Sequence, residues 1–269
     1  MGAMLRYSCT ALLGLNKQGI IKPNQDGYYE LVLSALNYPN PVGARYRVDS
    51  ARRILDTSPF FRRKIKEGNL LGETGHPRRR DSNTDADYED RLYDIVESNV
   101  CLHISDVWID DSGALKDRDG RSYTGIMGLV APSGVHGDKF EASLQNPKQN
   151  TCLSVRSVTD NYRMPDGSIE KEFVNIIAWD WVNEPGLRPA NKFSAPSLES
   201  YRNNPMGQII EEEMALDRAR LDQLIQRRIK FDDGMESDSI SIMRDVANYQ
   251  RREATNMTNV KNATRWMSW

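Results

Sequence analysis

Three polar side chains in strand-like segments have the residue types of a Ser-His-Asp catalytic triad. His103 lies in VCLHISDVWID (residues 100–110), Ser154 in TCLSVRS (151–157) and Asp180 in IIAWDWVNEP (176–185). An imidazole can take the proton of a serine hydroxyl, and a carboxylate can orient that imidazole and stabilise its charged form. The residue types therefore suggest acyl transfer, with His103 as base, Ser154 as nucleophile and Asp180 as orienting group. By spacing alone, a His and a Ser on two strands are more often a hydrogen-bonded polar pair.

Further candidates lie in or beside the same segments. His76 belongs to LLGETGHP (70–77) and precedes a proline, which favours an extended backbone. It is an alternative to Asp180 as third triad member, or part of a substrate groove. Backbone N–H groups near Val155 are candidate oxyanion donors. Arg156 and Arg188 are candidates for binding an oxyanion or a substrate carboxylate, although exposed arginines are usually only solvated.

Composition and missing motifs exclude several other kinds of chemistry. The chain has 36 Lys and Arg against 38 Asp and Glu, a formal net charge of -2, so it has no general attraction for nucleic acid or acidic membranes. No His/Cys cluster and no glycine-rich phosphate loop occurs, so no metal or cofactor is expected. Three widely spaced cysteines predict buried free thiols, and Cys101 or Cys152 is the alternative nucleophile to Ser154.

The elements that must position these residues divide the chain into three parts. Residues 1–184 alternate strand-like and short helical runs, and Pro165-Asp166-Gly167 marks a hairpin between the strands that carry Ser154 and Asp180. Residues 185–208 contain four prolines and predict a linker. Residues 209–269 have a narrow apolar stripe at helical spacing, which predicts a helical tail that docks on the core or on a partner. No apolar run reaches the roughly 20 residues of a membrane span, so a cytosolic location is expected.

The order LLGETGHP, LHISDVWID, CLSVRS and AWDWVNEP resembles the prohead (capsid maturation) serine proteases of tailed phages, which are related in fold to the herpesvirus assemblins. The resemblance covers roughly residues 69–190. It implies an α+β fold with a herpesvirus-protease-like β-barrel surrounded by helices. It also assigns the base, nucleophile and third member to His103, Ser154 and Asp180. The chain departs from the family pattern at Leu102, where Ser is usual, and at Ser157, where Gly is usual.

The same resemblance implies a function inside the assembling prohead, in the host cytoplasm. The substrates would be capsid, scaffold and internal head proteins, with no need for nucleic acid or membrane, and a homo-oligomer is left open. Cleavage would follow Glu, and self-cleavage is expected after Glu199 in the linker or Glu236 between two tail helices. The alternative from another class is an inactive capsid-associated or scaffold-associated structural protein that keeps the protease fold, for which Ser157 is the best argument.

Overall fold

A computed structural model describes residues 5–13, 23–40, 43–113, 115, 117, 119–183, 214–216, 218–231 and 239–252. The predicted linker at 185–208 lies outside these residues. So do three of the predicted site residues, namely Arg188, Glu199 and Glu236.

The described strands form two sheets. One sheet has five strands in the order β3-β8-β7-β1-β9, and the other has four in the order β2-β6-β5-β4. In chain order the strands are β1 (Leu5–Leu13), β2 (Tyr29–Leu36), β3 (Ala44–Tyr46), β4 (Leu71–Glu73), β5 (Val100–Asp110), β6 (Thr124–Pro132), β7 (Cys152–Arg163), β8 (Ile169–Val182) and β9 (Met214–Leu216).

Helices cover the sheets and connect their strands. They are α1 (Val48–Thr57), α2 (Pro59–Glu67), α3 (Asp85–Tyr93), α4 (Gly137–Gln145), α5 (Arg218–Phe231) and α6 (239–252). The start of α3 is fixed by a capping box, because the Thr84 side chain accepts from the Asp87 N–H while Asp87 accepts from the Thr84 N–H. No helix among the described residues is long and apolar enough to cross a membrane.

The main hydrophobic core packs side chains of both sheets and of the helices next to them. Leu102 and Ile104 of β5 and Trp179 of β8 belong to this cluster, and each is fully buried. The family resemblance implies a β-barrel, whereas the described strands pair as two separate sheets. At one corner the two sheets are also joined by an isolated parallel bridge between Thr74, after β4, and Trp181 of β8. A mixed fold of strands and helices is confirmed, and the closed barrel is not formed by these strands.

The tail folds back on the rest of the chain, which answers the question that its sequence left open. Strand β9 pairs with β1, and the helices α5 and α6 pack against α3 and the outer face of β7 and β8. Tail residues Leu221, Leu224 and Ile240 share a buried apolar cluster with Leu92 and Ile177. The tail therefore contributes a strand as well as helices, and its apolar stripe is used within the chain.

Candidate active site

The hairpin of β7 and β8 places Ser154 directly opposite Asp180. A regular hairpin closed by the observed turn would instead set Ala178 opposite Ser154. Two bulges in β8 shift the register. One lies opposite the step from Arg156 to Ser157, and the other lies opposite the step from Val158 to Thr159. Directly opposite residues of an antiparallel pair share a face, so the bulges put the hydroxyl and the carboxylate side by side.

His76 reaches this pair from the segment that follows β4. Gly75 has a φ of 77°, in the left-handed region that glycine tolerates, and its N–H donates to the Trp181 carbonyl at 2.7 Å. Strand β4 also lies very close to β8, since a Cβ on Gly72 would stand 2.0 Å from the Trp179 carbonyl oxygen. These contacts at the corner between the sheets hold His76 beside the end of β8.

The three side chains form a continuous hydrogen-bonded array. His76 Nδ1 lies 2.7 Å from Asp180 Oδ2, and His76 Nε2 lies 2.5 Å from Ser154 Oγ. With Asp180 ionised, Nδ1–H donates to the carboxylate, so Nε2 accepts the hydrogen bond from the Ser154 hydroxyl. Asp180 is fully buried, whereas the His76 side chain is 19% exposed. This geometry can deprotonate Ser154 and stabilise the imidazolium that results.

Buried charges behind Asp180 keep it ionised. Burial by itself would raise the pKa of this carboxyl, but the positive charge of Arg156 and the hydrogen bond from His76 hold the pKa below its ordinary value. Arg156 donates from Nε to Asp180 Oδ2 and from Nη2 to Asp180 Oδ1, each at 2.8 Å. The Asp180 carboxylate beside the His76 imidazole is therefore ionised and held in one orientation.

Arg156 is itself held by a second buried carboxylate, that of Glu73. Its Nη2 lies 2.6 Å from Glu73 Oε2, and the side chains of both residues are fully buried. Arg91 of α3 donates to the same Glu73 oxygen at 2.7 Å. The sequence-based role of Arg156 as a ligand for an oxyanion or a substrate is wrong for this arrangement, because its guanidinium points into the protein and is engaged there.

His103 is not brought to Ser154. Its Nδ1 lies 2.9 Å from the Tyr28 hydroxyl, and its ring stands edge-on to the Tyr28 ring. Burial lowers the pKa of His103. The flanking Leu102 and Ile104 fill the core between the sheets, and alternation along β5 then directs His103 to the opposite face. The structure thus places His76, and not His103, between Ser154 and Asp180.

The remaining described candidates lie away from the reacting hydroxyl or are engaged. Val155 is buried in β7, which pairs with β1 on one side and β8 on the other, so its N–H is directed into the sheet. Cys101 and Cys152 are buried free thiols. Burial raises the pKa of Cys101 to about 12, which disfavours the thiolate that a cysteine peptidase needs.

An open groove of about 440 Å³ adjoins His76. Its lining is largely polar and includes Thr74, His76, Arg78, Asn83 and Arg91. Within the described part of the chain, no cluster of three or more His, Cys, Asp or Glu side chains is arranged to hold a metal ion.

By sequence, His103 is the base, His76 is an alternative third member or part of a substrate groove, and Glu73 is not among the candidate site residues. His76 and Glu73 both belong to the segment GETGHP, residues 72–77, which the resemblance had already singled out. A glutamate at a buried strand position was the available signal, because a buried carboxylate requires a cationic or hydrogen-bonding partner.

The chain belongs to the Peptidase S80 family, whose model matches residues 7–247. The family resemblance inferred from its motifs is thereby confirmed. The chain is similar to the capsid maturation protease of Pseudomonas phage phiKZ, with 35% identity over 199 aligned residues and a match that covers 72% of each chain. It is also similar to the solved structure of the bacteriophage T4 capsid assembly protease, gp21. That match has 15% identity and a TM-score of 0.43, and it covers 66% of this chain and 96% of the other.

Proposed function

We propose that this protein is a serine endopeptidase in which His76 is the general base, Ser154 the nucleophile and Asp180 the orienting carboxylate. The observation that carries the proposal is the position of His76, with one ring nitrogen on Ser154 and the other on Asp180. His76 Nε2 takes the Ser154 proton as Oγ attacks the scissile carbonyl, and it then gives that proton to the leaving amine. Water, deprotonated by the same nitrogen, attacks the acyl-enzyme and restores the Ser154 hydroxyl.

The relative from phage phiKZ supports the biological setting. We propose that the substrates are capsid, scaffold and internal head proteins, cleaved in the assembling prohead within the host cytoplasm. Cleavage after Glu, self-cleavage after Glu199 or Glu236, and kinship in fold with the herpesvirus assemblins rest on the sequence resemblance. The groove carries both signs of charge, since Asp81 and Asp87 line it together with Arg78 and Arg91. Arg91 is paired with Glu73, whereas Arg78 has no ion pair with any described residue and is the candidate partner for an acidic substrate side chain.

The proposal is tested by incubating the purified full chain with its own capsid and scaffold proteins and mapping new termini by mass spectrometry. The wild type should produce cuts after Glu, and Ser154→Ala should produce none while it keeps the wild-type unfolding temperature. Ser157→Ala is the matched control, because it removes another buried hydroxyl of β7 that is not part of the triad. It should retain most of the activity.

Chemical labelling separates the competing functions. A fluorophosphonate should modify Ser154 and abolish cleavage, whereas a cysteine alkylator should leave cleavage unchanged. Sensitivity to the alkylator with full activity of Ser154→Ala would establish a cysteine peptidase. A folded wild type that cleaves nothing and takes up no fluorophosphonate would support the inactive structural protein.

A further inference from the structure

The segment at the C-terminal end of α3, residues 93–96, lies between the tail helices and the buried charges behind the triad. On its inner side, the Asp94 carbonyl accepts from Arg156 Nη1 and from Arg91 Nη1, each at 2.8 Å. The Val96 N–H donates to Glu73 Oε1. The backbone of this segment therefore fixes both members of the buried Arg156–Glu73 ion pair.

On its outer side, the same segment is held by the tail. Arg228 of α5 donates from Nη1 to Asp94 Oδ1 at 2.7 Å, from Nη2 to Asp94 Oδ2, and from Nε to Asp90 at 2.6 Å. Ser239, at the start of the described part of α6, donates to Asp94 Oδ1 at 2.5 Å. The Arg228 side chain is only 16% exposed, so this two-pronged contact is poorly screened by solvent.

We infer that Arg228 is a positioning residue for the catalytic triad, acting through Asp94 and Arg156. The inference rests on the proposed function of Ser154, His76 and Asp180. Each step is a direct hydrogen bond: Arg228 to the Asp94 side chain, the Asp94 carbonyl to Arg156, and Arg156 to Asp180. The tail helices are thus part of the framework that orients the catalytic carboxylate.

The next residue on α5 supplies a matched control. Arg227 pairs with Asp87 at 3.5 Å, and both side chains are well exposed, at 48% and 35%. An exposed pair of this kind contributes little to stability and has no contact with the 93–96 segment. Loss of Arg227 therefore removes the same charge from the same helix without disturbing the contacts that lead to Asp180.

The experiment compares Arg228→Met and Arg227→Met in the full chain, by steady-state cleavage of a peptide taken from a mapped substrate site. Methionine keeps most of the apolar stem of arginine, so packing is largely retained. Arg228→Met should lower kcat by roughly tenfold or more with KM within about twofold, because small displacements of catalytic groups are costly in rate. The rate of Ser154 labelling by a fluorophosphonate should fall in parallel, and Arg227→Met should match the wild type.

A folded Arg228→Met with wild-type kcat and labelling rate would overturn the inference, and so would an equal loss in Arg227→Met. If Arg228→Met does not fold, Arg228→Lys decides, since it keeps the positive charge but cannot reproduce the fork that donates to both Asp94 oxygens and to Asp90. A selective fall in kcat supports the inference, and an unchanged kcat refutes it. Failure of the proposed function is distinct, since it would appear as an inactive wild type or an active Ser154→Ala.

Discussion

The buried guanidinium of Arg156 offers the most direct test of how the site is supported. We consider Arg156→Met, which removes the cation but keeps much of the side chain's length. The change leaves Glu73 and Asp180 as two fully buried carboxylates that have lost their shared positive charge. Glu73 retains Arg91, and Asp180 retains His76 together with the Glu73 N–H.

Removal of one partner of a buried ion pair costs about 3–5 kcal/mol, because an uncompensated charge stays in the interior. Domains are stable by only about 5–15 kcal/mol, so the loss should be plainly visible in a urea titration. Arg91→Met is the matched control. Its side chain is 23% exposed and donates to the same Glu73 oxygen, but it makes no contact with Asp180. It should cost about 1–3 kcal/mol, as expected for a hydrogen bond to a charged group.

The pH dependence separates loss of charge from loss of packing. In the wild type, the folded-state pKa of Asp180 lies below the ordinary value of 3.8. Its contribution to stability is therefore present above that value and is lost as the pH falls through the lower, folded value. Without Arg156 the folded-state pKa of this carboxyl should rise. The loss of unfolding free energy in Arg156→Met should then be largest at neutral pH. It should shrink as the pH falls and Asp180 takes up a proton.

The assay is urea unfolding of Arg156→Met, Arg91→Met and wild type at several pH values from pH 7 down to pH 3.8, the ordinary pKa of the carboxyl, with cleavage measured under native conditions. If Arg156→Met lowers the free energy of unfolding by less than about 1 kcal/mol, the expectation that removing one partner of a buried ion pair is strongly destabilising is contradicted. A loss that stays the same over this whole pH range would contradict the electrostatic interpretation, since it would show that packing, and not charge, is what the substitution removed.

Three further outcomes are expected. His76→Ala should lower kcat by orders of magnitude, as loss of the nucleophile does, while His103→Ala should keep the wild-type rate. Peptide kinetics on the folded variants checks this, and an active His76→Ala with an inactive His103→Ala would contradict it. Gly72→Ala should destabilise the chain and slow cleavage, because its Cβ would meet the Trp179 carbonyl at 2.0 Å, and a wild-type unfolding temperature would contradict that reading. Self-cleavage after Glu199 should give two bands on a denaturing gel but one peak in gel filtration, because the tail helices bury apolar side chains against the core; separate elution of the tail would refute this.

The sequence by itself determined which side-chain types are available for catalysis and which strands and turn carry them. Alternation of apolar and polar residues indicates that Ser154 and Asp180 lie on strands, and the Pro165-Asp166-Gly167 turn indicates that those strands form a hairpin. The structure confirms the hairpin, with Gly167 N–H donating to the Met164 carbonyl at the turn. These features depend on side-chain periodicity and on turn residues, both of which are local properties of the chain.

Only the tertiary structure decided which histidine meets the serine. His76 and His103 are both carried by the four-stranded sheet or the segment next to it, and both precede Ser154 in the chain. The choice depends on two bulges in β8, on the bridge between Thr74 and Trp181, and on the face of β5 that the core requires. Each of these follows from packing between residues far apart in the sequence, and such packing leaves no periodic signal in the chain.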